Sequence, residues 1–553
     1  MRYFQIFIVS FFFFVSSFPQ ESSVTITGKI KDKTSGAPVS QAKIYINGNS
    51  GLVHDSVATN ASGNWSYTFP VTSVSENPGL PESFTVSQNY PNPFNPSTKI
   101  DVSLPVAGNV IVGIYNALGE KIDGYEEFLN AGFYSIEWNA RGSAGVYFFN
   151  VKFGGTGITR KMILLDGGYG SGFSRFYTGA SSSGGISRYY KSNSQIDLSF
   201  RVTKNGYAYF DVDTVVSGSE YFEFSIEKIH FYSRLIDLHN DILEKMVVDT
   251  SYHLAAFHTF NHTDIPRMRT GGVDAQFFAV WVDPSAHPVN QYDHAIEMIN
   301  IFHNEVSLNP NTLGKALDPA QVIELNNQNK IAGILAVEGG HAIEEDLQKL
   351  ANLYNLGMRY LTITWNNSTS WAVSSQDSRS ATVGLSEFGK DVIRALDSLG
   401  IMIDVSHTGI KTISDILTVT SNPIVATHSG VRNLRNNHRN LYDNQIIDIA
   451  NSGGVIGVVF YPPFLGSGSV NVSKVVDHID YIVNLVGVDH VAVGSDFDGI
   501  GNNTVVGLED ISKYPNLTNE LINRGYNQEE IGKILGDNIM RVFQQVRTNR
   551  KIP

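Results

Sequence analysis

Beyond residue 230 the chain alternates short apolar runs with longer amphipathic stretches, the pattern of a parallel sheet covered by helices. Eight runs read as strands: residues 235–239, 275–282, 331–338, 360–365, 401–407, 423–428, 455–460 and 491–496. Between them, segments such as 385–399 and 472–486 repeat apolar residues at helical spacing. Eight strand-helix units in roughly 310 residues favour a closed (β/α)8 barrel of the TIM type over an open doubly wound sheet. This α/β domain is expected over residues 232–548. Upstream, from about residue 24 to 226, apolar and polar positions alternate with period two, punctuated by Gly, Asn and Ser turns, which predicts short antiparallel strands in all-β sandwich modules.

Within that β-rich region, residues 24–30, 42–46 and 64–69 read as three strands of one small sheet, a segment that resembles the carboxypeptidase regulatory-like fold. Its last strands are expected only at residues 198–210 and 221–226, which predicts a discontinuous module of residues 24–78 plus 195–228. The stretch between, residues 81–166, carries Ser87-Gln-Asn-Tyr-Pro-Asn-Pro-Phe-Asn-Pro-Ser-Thr, Val112-Gly-Ile-Tyr-Asn-Ala-Leu-Gly-Glu, Trp138 and Gly145-Val-Tyr-Phe-Phe. These phrases resemble the Ig-like modules that act as sorting domains at the ends of many exported bacterial proteins. Here the module is internal, so a spacer role or docking to cell-surface or secretion machinery is expected in preference to sorting by a terminal signal. Residues 167–194, rich in Gly, Ser and Tyr, read as a linker.

Residues 1–20 combine an early Arg, an apolar core of Phe, Ile and Val, and small residues before a polar stretch, which reads as a signal peptide. The run falls short of the ~20 residues of a spanning helix, and no later segment is apolar enough to span. The expected location is therefore outside the cytoplasm: periplasmic, cell-surface or extracellular. The chain has no Cys, so cores and bound metal must supply the stability that disulfides give many exported proteins. A formal charge of −13 without a basic tract argues against nucleic acid as a partner. A homodimer is a candidate assembly.

Candidate chemistry sits at the strand ends, where His239 with Asp241, Glu338, His407, His428 and Asp496 terminate five of the eight runs. In a closed parallel barrel those ends converge on one mouth. His239 and Asp241, two residues apart, would face the same side of an extended strand and could chelate a cation. His407 and His428, on adjacent strands, offer neutral imidazoles that suit zinc. Glu338 falls between the two groups and could bridge two cations about 3.5–4 Å apart with a shared hydroxide. Two Zn2+ ions are thus expected, one on His239, Asp241 and Glu338, the other on Glu338, His407 and His428.

With these residues go the phrases Asp237-Leu-His-Asn-Asp, Thr263-Asp-Ile-Pro-Arg-Met-Arg-Thr-Gly-Gly-Val, Val337-Glu-Gly-Gly-His, Leu356-Gly-Met-Arg-Tyr-Leu-Thr, Ile403-Asp-Val-Ser-His, Ala426-Thr-His-Ser, His438-Arg-Asn-Leu and Gly494-Ser-Asp-Phe-Asp-Gly. In this order they resemble the membrane dipeptidase (renal dipeptidase) family of metallopeptidases, over essentially all of residues 235–543. The resemblance implies hydrolysis of dipeptides by a two-zinc site built from the five ligands, with Arg439 gripping the substrate's terminal carboxylate and Asp496 handling protons. A planar guanidinium fork does match a carboxylate, and an acid beside the metals can orient and deprotonate water.

One position departs from better-known members, which carry a His where this chain has Trp365. That puts the substrate range in question, with Asn366 as a candidate polar replacement; both are expected to bind substrate. Alternatives are an amidohydrolase acting on another amide or lactam, and an inactive barrel kept as a binding module. Several residues have structural readings. Asp264 in His262-Thr-Asp264 precedes Pro266 and reads as a helix cap. Asp498 reads as a turn partner, His341 either supports the site or closes its loop, and Arg439 has the alternative of a surface salt bridge.

Overall fold

The computed structural model describes residues 22–48, 54–71, 81, 83–90, 92–94, 97–142, 144–164, 168–178 and 196–551. It divides into two units, Met1–Glu227 and Lys228–Pro553. The proposed signal at residues 1–20 lies outside the described residues.

The first unit contains two sandwiches. In one, Ser22–Asp32 lies between antiparallel Asn64–Val71 and parallel Tyr221–Ile226. The facing sheet runs in the order Phe210–Val216, Ile196–Thr203, Lys43–Gly48, His54–Ala58. Strands from before residue 72 and after residue 195 therefore share both sheets. Ile26, Ile30, Ile44, Ile46, Trp65 and Phe200 fill the space between. The sequence led to an expectation of one sheet for the three early strands, and the structure corrects it: Lys43–Gly48 sits in the opposite sheet. Alternation shows which face of a strand is apolar, but not which of two facing sheets the strand joins.

The other sandwich packs Thr156–Leu164, Gly145–Phe153, Gly108–Asn116 and Lys121–Leu129 against Gly168–Thr178, Gly132–Gly142, Ser97–Leu104 and Thr85–Val86. Trp138, Phe149 and Phe94 lie at the centre of its core. Part of the segment expected as a linker, residues 167–194, is thus a strand: Gly168–Thr178 pairs antiparallel with Gly132–Gly142 through two register shifts. Its glycines read as loop, yet Phe173 pairs with Trp138 and packs on the core.

In the second unit eight parallel strands close a barrel: β1 Leu235–Asn240, β2 Val273–Trp281, β3 Ile331–Glu338, β4 Met358–Thr362, β5 Met402–Asp404, β6 Ile424–Ser429, β7 Val455–Val458 and β8 Val491–Val493. Each pairs with the next, β8 pairs with β1, and the short strand Leu313–Lys315 adds to β3 outside the ring. All eight positions of β3 are buried, as two covered faces require. The helix Glu387–Leu399 shows how the cover is set: Ser386 caps its start, Gly400 ends it at φ 67°, and Val392, Ile393, Leu396 and Leu399 turn inward. No helix among the described residues is long and apolar enough to cross a membrane.

Inward-facing Ile236, Ala275, Phe277, Ile334, Met402, Val425 and Ala492 form an inner core with Ile539, Val542, Phe543 and Val546 of the last helix, Asn538–Thr548. That helix lays its apolar face against the inner core, and polar chemistry is left to the strands' C-terminal ends. Phe543, 1% exposed, stacks edge-on to Phe277. Replacing it with Ala is expected to lower the barrel's unfolding free energy by ~3–5 kcal/mol, read on its transition in urea; an unchanged midpoint would show that the last helix is dispensable to the core.

Candidate metal centre and active site

Glu338 is the last residue of β3 and 3% exposed. Its two carboxylate oxygens point to different partners: Oε2 lies 3.4 Å from His239 Nε2, and Oε1 lies 2.9 Å from His407 Nε2 and 3.5 Å from His428 Nε2. Asp241 Oδ2 stands 3.5 Å from His239 Nε2. Asp496 joins that side, offering a carboxylate oxygen in a group with His239 and Asp241 whose atoms all lie within 4.8 Å of one another. The structure therefore brings together all five expected ligands and the expected acid.

The routes to that arrangement differ from simple strand alternation. β1 ends at Asn240, and Asp241 begins the helix Ile242–Val248 with φ −99° and ψ 22°, so a strand-to-helix turn, not an extended strand, brings its carboxylate back beside His239. β5 ends at Asp404 and β8 at Val493, three residues short of His407 and Asp496. Both residues take left-handed backbone, φ 64° and 62°, an uncommon state for side-chain-bearing residues that recurs at functional sites. Gly499 permits the close approach of the two aspartates, since a Cβ there would fall 2.2 Å from Asp241 Oδ2 and 2.5 Å from Asp496 Oδ1.

Hydrogen bonds fix which ring nitrogen of each histidine faces Glu338. Tyr360 donates its hydroxyl to Leu238 O at 3.0 Å, so at 2.7 Å it accepts from His239 Nδ1. Burial pushes the Tyr360 pKa up, which keeps that hydroxyl protonated. Thr427 donates to Asp404 Oδ2 at 2.8 Å and accepts from His428 Nδ1 at 2.9 Å. Asn366 Oδ1 accepts from His407 Nδ1 at 3.0 Å. All three rings thus turn Nε2 toward the carboxylates, the arrangement in which imidazoles bind cations. His239 Nε2 and Asp241 Oδ1 are buried without hydrogen-bond partners, orphaned polar atoms that a metal ion would satisfy. The residues fit a metal centre.

Electrostatics agree with that fit. Burial, then the Arg439 charge, pushes His407 down to about 3, and burial with the neighbouring His239 holds His428 well below its ordinary value, so both rings are neutral ligands near pH 7. Burial works against an anionic Glu338, but His239, His407 and His428 more than offset it and hold the carboxyl well below its usual range. Asp496 moves the other way, raised well above its ordinary value by burial and by the Asp241 charge. Two acids with opposed shifts in one pocket are the pattern of a site that holds charge in one place and moves protons in another.

Arg439 is 4% exposed and belongs to no ion pair among the described residues, so it is not a surface salt bridge. Its Nη2 donates to His428 O at 3.1 Å, its guanidinium lies 5.5 Å from the Phe464 ring centre, and Nη1 has no partner. A buried cation left this way calls for an anion. Arg439 and His407 both line a cavity of about 100 Å³.

The other singled-out residues separate cleanly. Asn366 orients His407, a different task from the substrate contact expected of it. Trp365 is half-buried beside His407, with ring centres 6.3 Å apart. Asp264 caps Ile265–Thr270 by accepting from Arg267 N, and Asp498 pairs reciprocally with His262, accepting from its N at 2.7 Å and donating its own N to Nδ1 at 2.8 Å. Neither ring nitrogen of His341 has a hydrogen-bond partner. Sequence reasoning missed Tyr360, Thr427 and Asp404, which orient the ligands, although all three lie inside the quoted phrases.

A family model described as membrane dipeptidase, peptidase family M19, matches residues 224–552. The chain belongs to this family. Residues 88–165 match a model described as a secretion system C-terminal sorting domain. Among curated proteins, Dipeptidase 3 of Mus musculus is 33% identical over 327 residues, 57% of this chain; the match spans 65% of that relative's length. Among solved structures, a metallopeptidase from Rhodobacter sphaeroides liganded with a phosphinate mimic of L-Ala-D-Ala is 26% identical with a TM-score of 0.54, covering 57% of this chain and 99% of that one. A probable dipeptidase from Pseudomonas aeruginosa gives the same identity and TM-score over 58% and 97%.

The Tyr360 hydroxyl gives this membrane dipeptidase family member a direct test. Tyr360→Phe removes the acceptor for His239 Nδ1 and is expected to weaken metal binding about 10- to 100-fold, measured by zinc competition against a chromogenic chelator. Unchanged affinity would mean that the ring orientation does not depend on this bond.

Proposed function

We propose that the barrel is an exported, zinc-dependent dipeptidase that hydrolyses dipeptides with a free C-terminal carboxylate. The observation that carries the reading is the buried Glu338 carboxylate divided between two ligand sets, with the unpaired cation of Arg439 close by. His239, Asp241 and Glu338 would hold one zinc ion, and Glu338, His407 and His428 a second. Two such ions would acidify a shared water and polarise the scissile carbonyl. The phosphinate dipeptide mimic held by the Rhodobacter sphaeroides relative supports a dipeptide as the ligand class.

Arg439 takes the substrate carboxylate through two parallel N–H donors, which sets the scissile bond at the metals and restricts the enzyme to short peptides. Asp496, half-buried beside Asp241, accepts the attacking water's proton and delivers it to the leaving amine. Glu338 stays ionised throughout, holding both halves of the centre. Export rests on the signal-like start of the chain and on the sorting-domain match, with the periplasm, cell surface or medium as destination. The β modules would then serve docking or transport.

The test is metal analysis with a substrate panel. Two zinc ions per chain are expected, with release of amino acids from free dipeptides, loss of activity on chelation and recovery with zinc. Absence of zinc, or faster turnover of N-acyl amino acids or lactams than of any dipeptide, would defeat the reading. Arg439→Ala should raise KM for a dipeptide while the C-terminal amide, lacking the anion, is a poor substrate for both enzymes.

A pH test follows from Arg439. Burial works against its charge and the neighbouring Asp496 and Glu338 favour it, and a guanidinium keeps its proton throughout the working pH range. The Arg439 contribution to KM is therefore expected to show no titration step on the alkaline side. An Arg439→Lys variant, whose ammonium can titrate, should by contrast show KM climbing at alkaline pH; identical pH profiles for the two enzymes would remove this side chain from carboxylate binding.

A further inference from the structure

Two indoles stand at the rim beside the metal centre. Trp281 ends β2 directly opposite Glu338 in the strand register. Trp365 follows β4, and its ring lies 5.0 Å from that of Trp281 at a 58° tilt and 6.3 Å from His407. Both are half-buried, so each keeps part of an apolar face open to solvent at the mouth of a site whose other walls are charged. The Trp281 N–H is buried and has no acceptor among the described residues, which leaves it available to an oxygen of a bound peptide.

Strand order places this pair across the centre from Arg439. The indoles sit at the end of β2 and just after β4, the two strands flanking that of Glu338, whereas Arg439 follows β6. A dipeptide whose C-terminal carboxylate meets Arg439 and whose peptide bond meets Glu338 must direct its N-terminal residue toward β2 to β4. We infer that Trp281 and Trp365 form the wall that receives the side chain of the substrate's N-terminal residue, and that they select a large apolar or aromatic side chain there. The inference rests on the dipeptidase reading and adds to it the substrate class.

The physical basis is contact area. A Phe or Leu side chain against two indoles replaces water over apolar surface on both partners and gains edge-to-face contacts, whereas Gly offers nothing to bury and Asp must shed water without a partner. Even one methylene difference in an apolar pocket shifts kcat/KM by about 10-fold or more.

The experiment compares kcat/KM of the zinc-loaded full chain for Phe-Gly, Leu-Gly, Gly-Gly and Asp-Gly. Phe-Gly and Leu-Gly are expected to exceed Gly-Gly by at least about 10-fold and Asp-Gly by more. Trp281→Ala and Trp365→Ala should each shrink the Phe-Gly to Gly-Gly ratio, with zinc content retained; Trp281→Leu and Trp365→Leu serve where truncation prevents folding. Equal turnover of Gly-Gly and Phe-Gly by the zinc-loaded enzyme, or a ratio untouched in every folded variant, overturns the inference and leaves the dipeptidase standing. Failure to cleave any dipeptide overturns both.

Discussion

The structure of the site depends on one constraint: a buried carboxylate, Glu338, whose two oxygens face different imidazoles. An anion taken out of water is costly unless positive charge meets it from each open side. Here His239 approaches one oxygen, while His407 and His428 approach the other. Their ring nitrogens crowd together, with His407 Nε2 and His428 Nε2 only 3.1 Å apart, a distance natural for two ligands of a single cation. Two metal ions, one on each side of Glu338, would satisfy every one of these groups at once.

The rest of the barrel rim serves to hold that geometry. Three separate oxygens, from Tyr360, Thr427 and Asn366, take the outer ring N–H groups of the histidines. Two further buried carboxylates tie the loops down: Asp404 accepts from Thr362, Ser406 and Thr427, and Asp237 accepts from Ser495 N and Oγ. These bonds do locally what an extended strand cannot, since the chain must leave the ladder at Asp404 and Val493 and turn through left-handed backbone to present His407 and Asp496. The apolar face of the last helix, Asn538–Thr548, completes the inner core, and the polar cluster is confined to the strands' C-terminal end.

Much of this was legible in the sequence because burial on two faces leaves a plain signal. Strand β3 was expected at the residues where it lies, and the helix Val472–Val486 likewise, since continuous apolar runs and helical periodicity are each local properties. The ligands stood out as polar residues closing apolar runs. Less legible were features set by long-range pairing. Nothing local distinguishes Thr427 as the relay between Asp404 and His428, or Tyr360 as the partner of His239, because a polar group inside an apolar strand acquires meaning only from what it faces. The same limit placed Lys43–Gly48 in the wrong sheet and hid the strand Gly168–Thr178, whose pairing with Gly132–Gly142 outweighs its glycine content.

The account stands on Glu338 bridging two metal ions. Diffraction from crystals of the zinc-loaded protein, collected on both sides of the zinc absorption edge, measures this directly. Two anomalous peaks are predicted, one between Glu338, His239 and Asp241 and one between Glu338, His407 and His428. A single peak away from Glu338, or none within reach of its carboxylate, would contradict it.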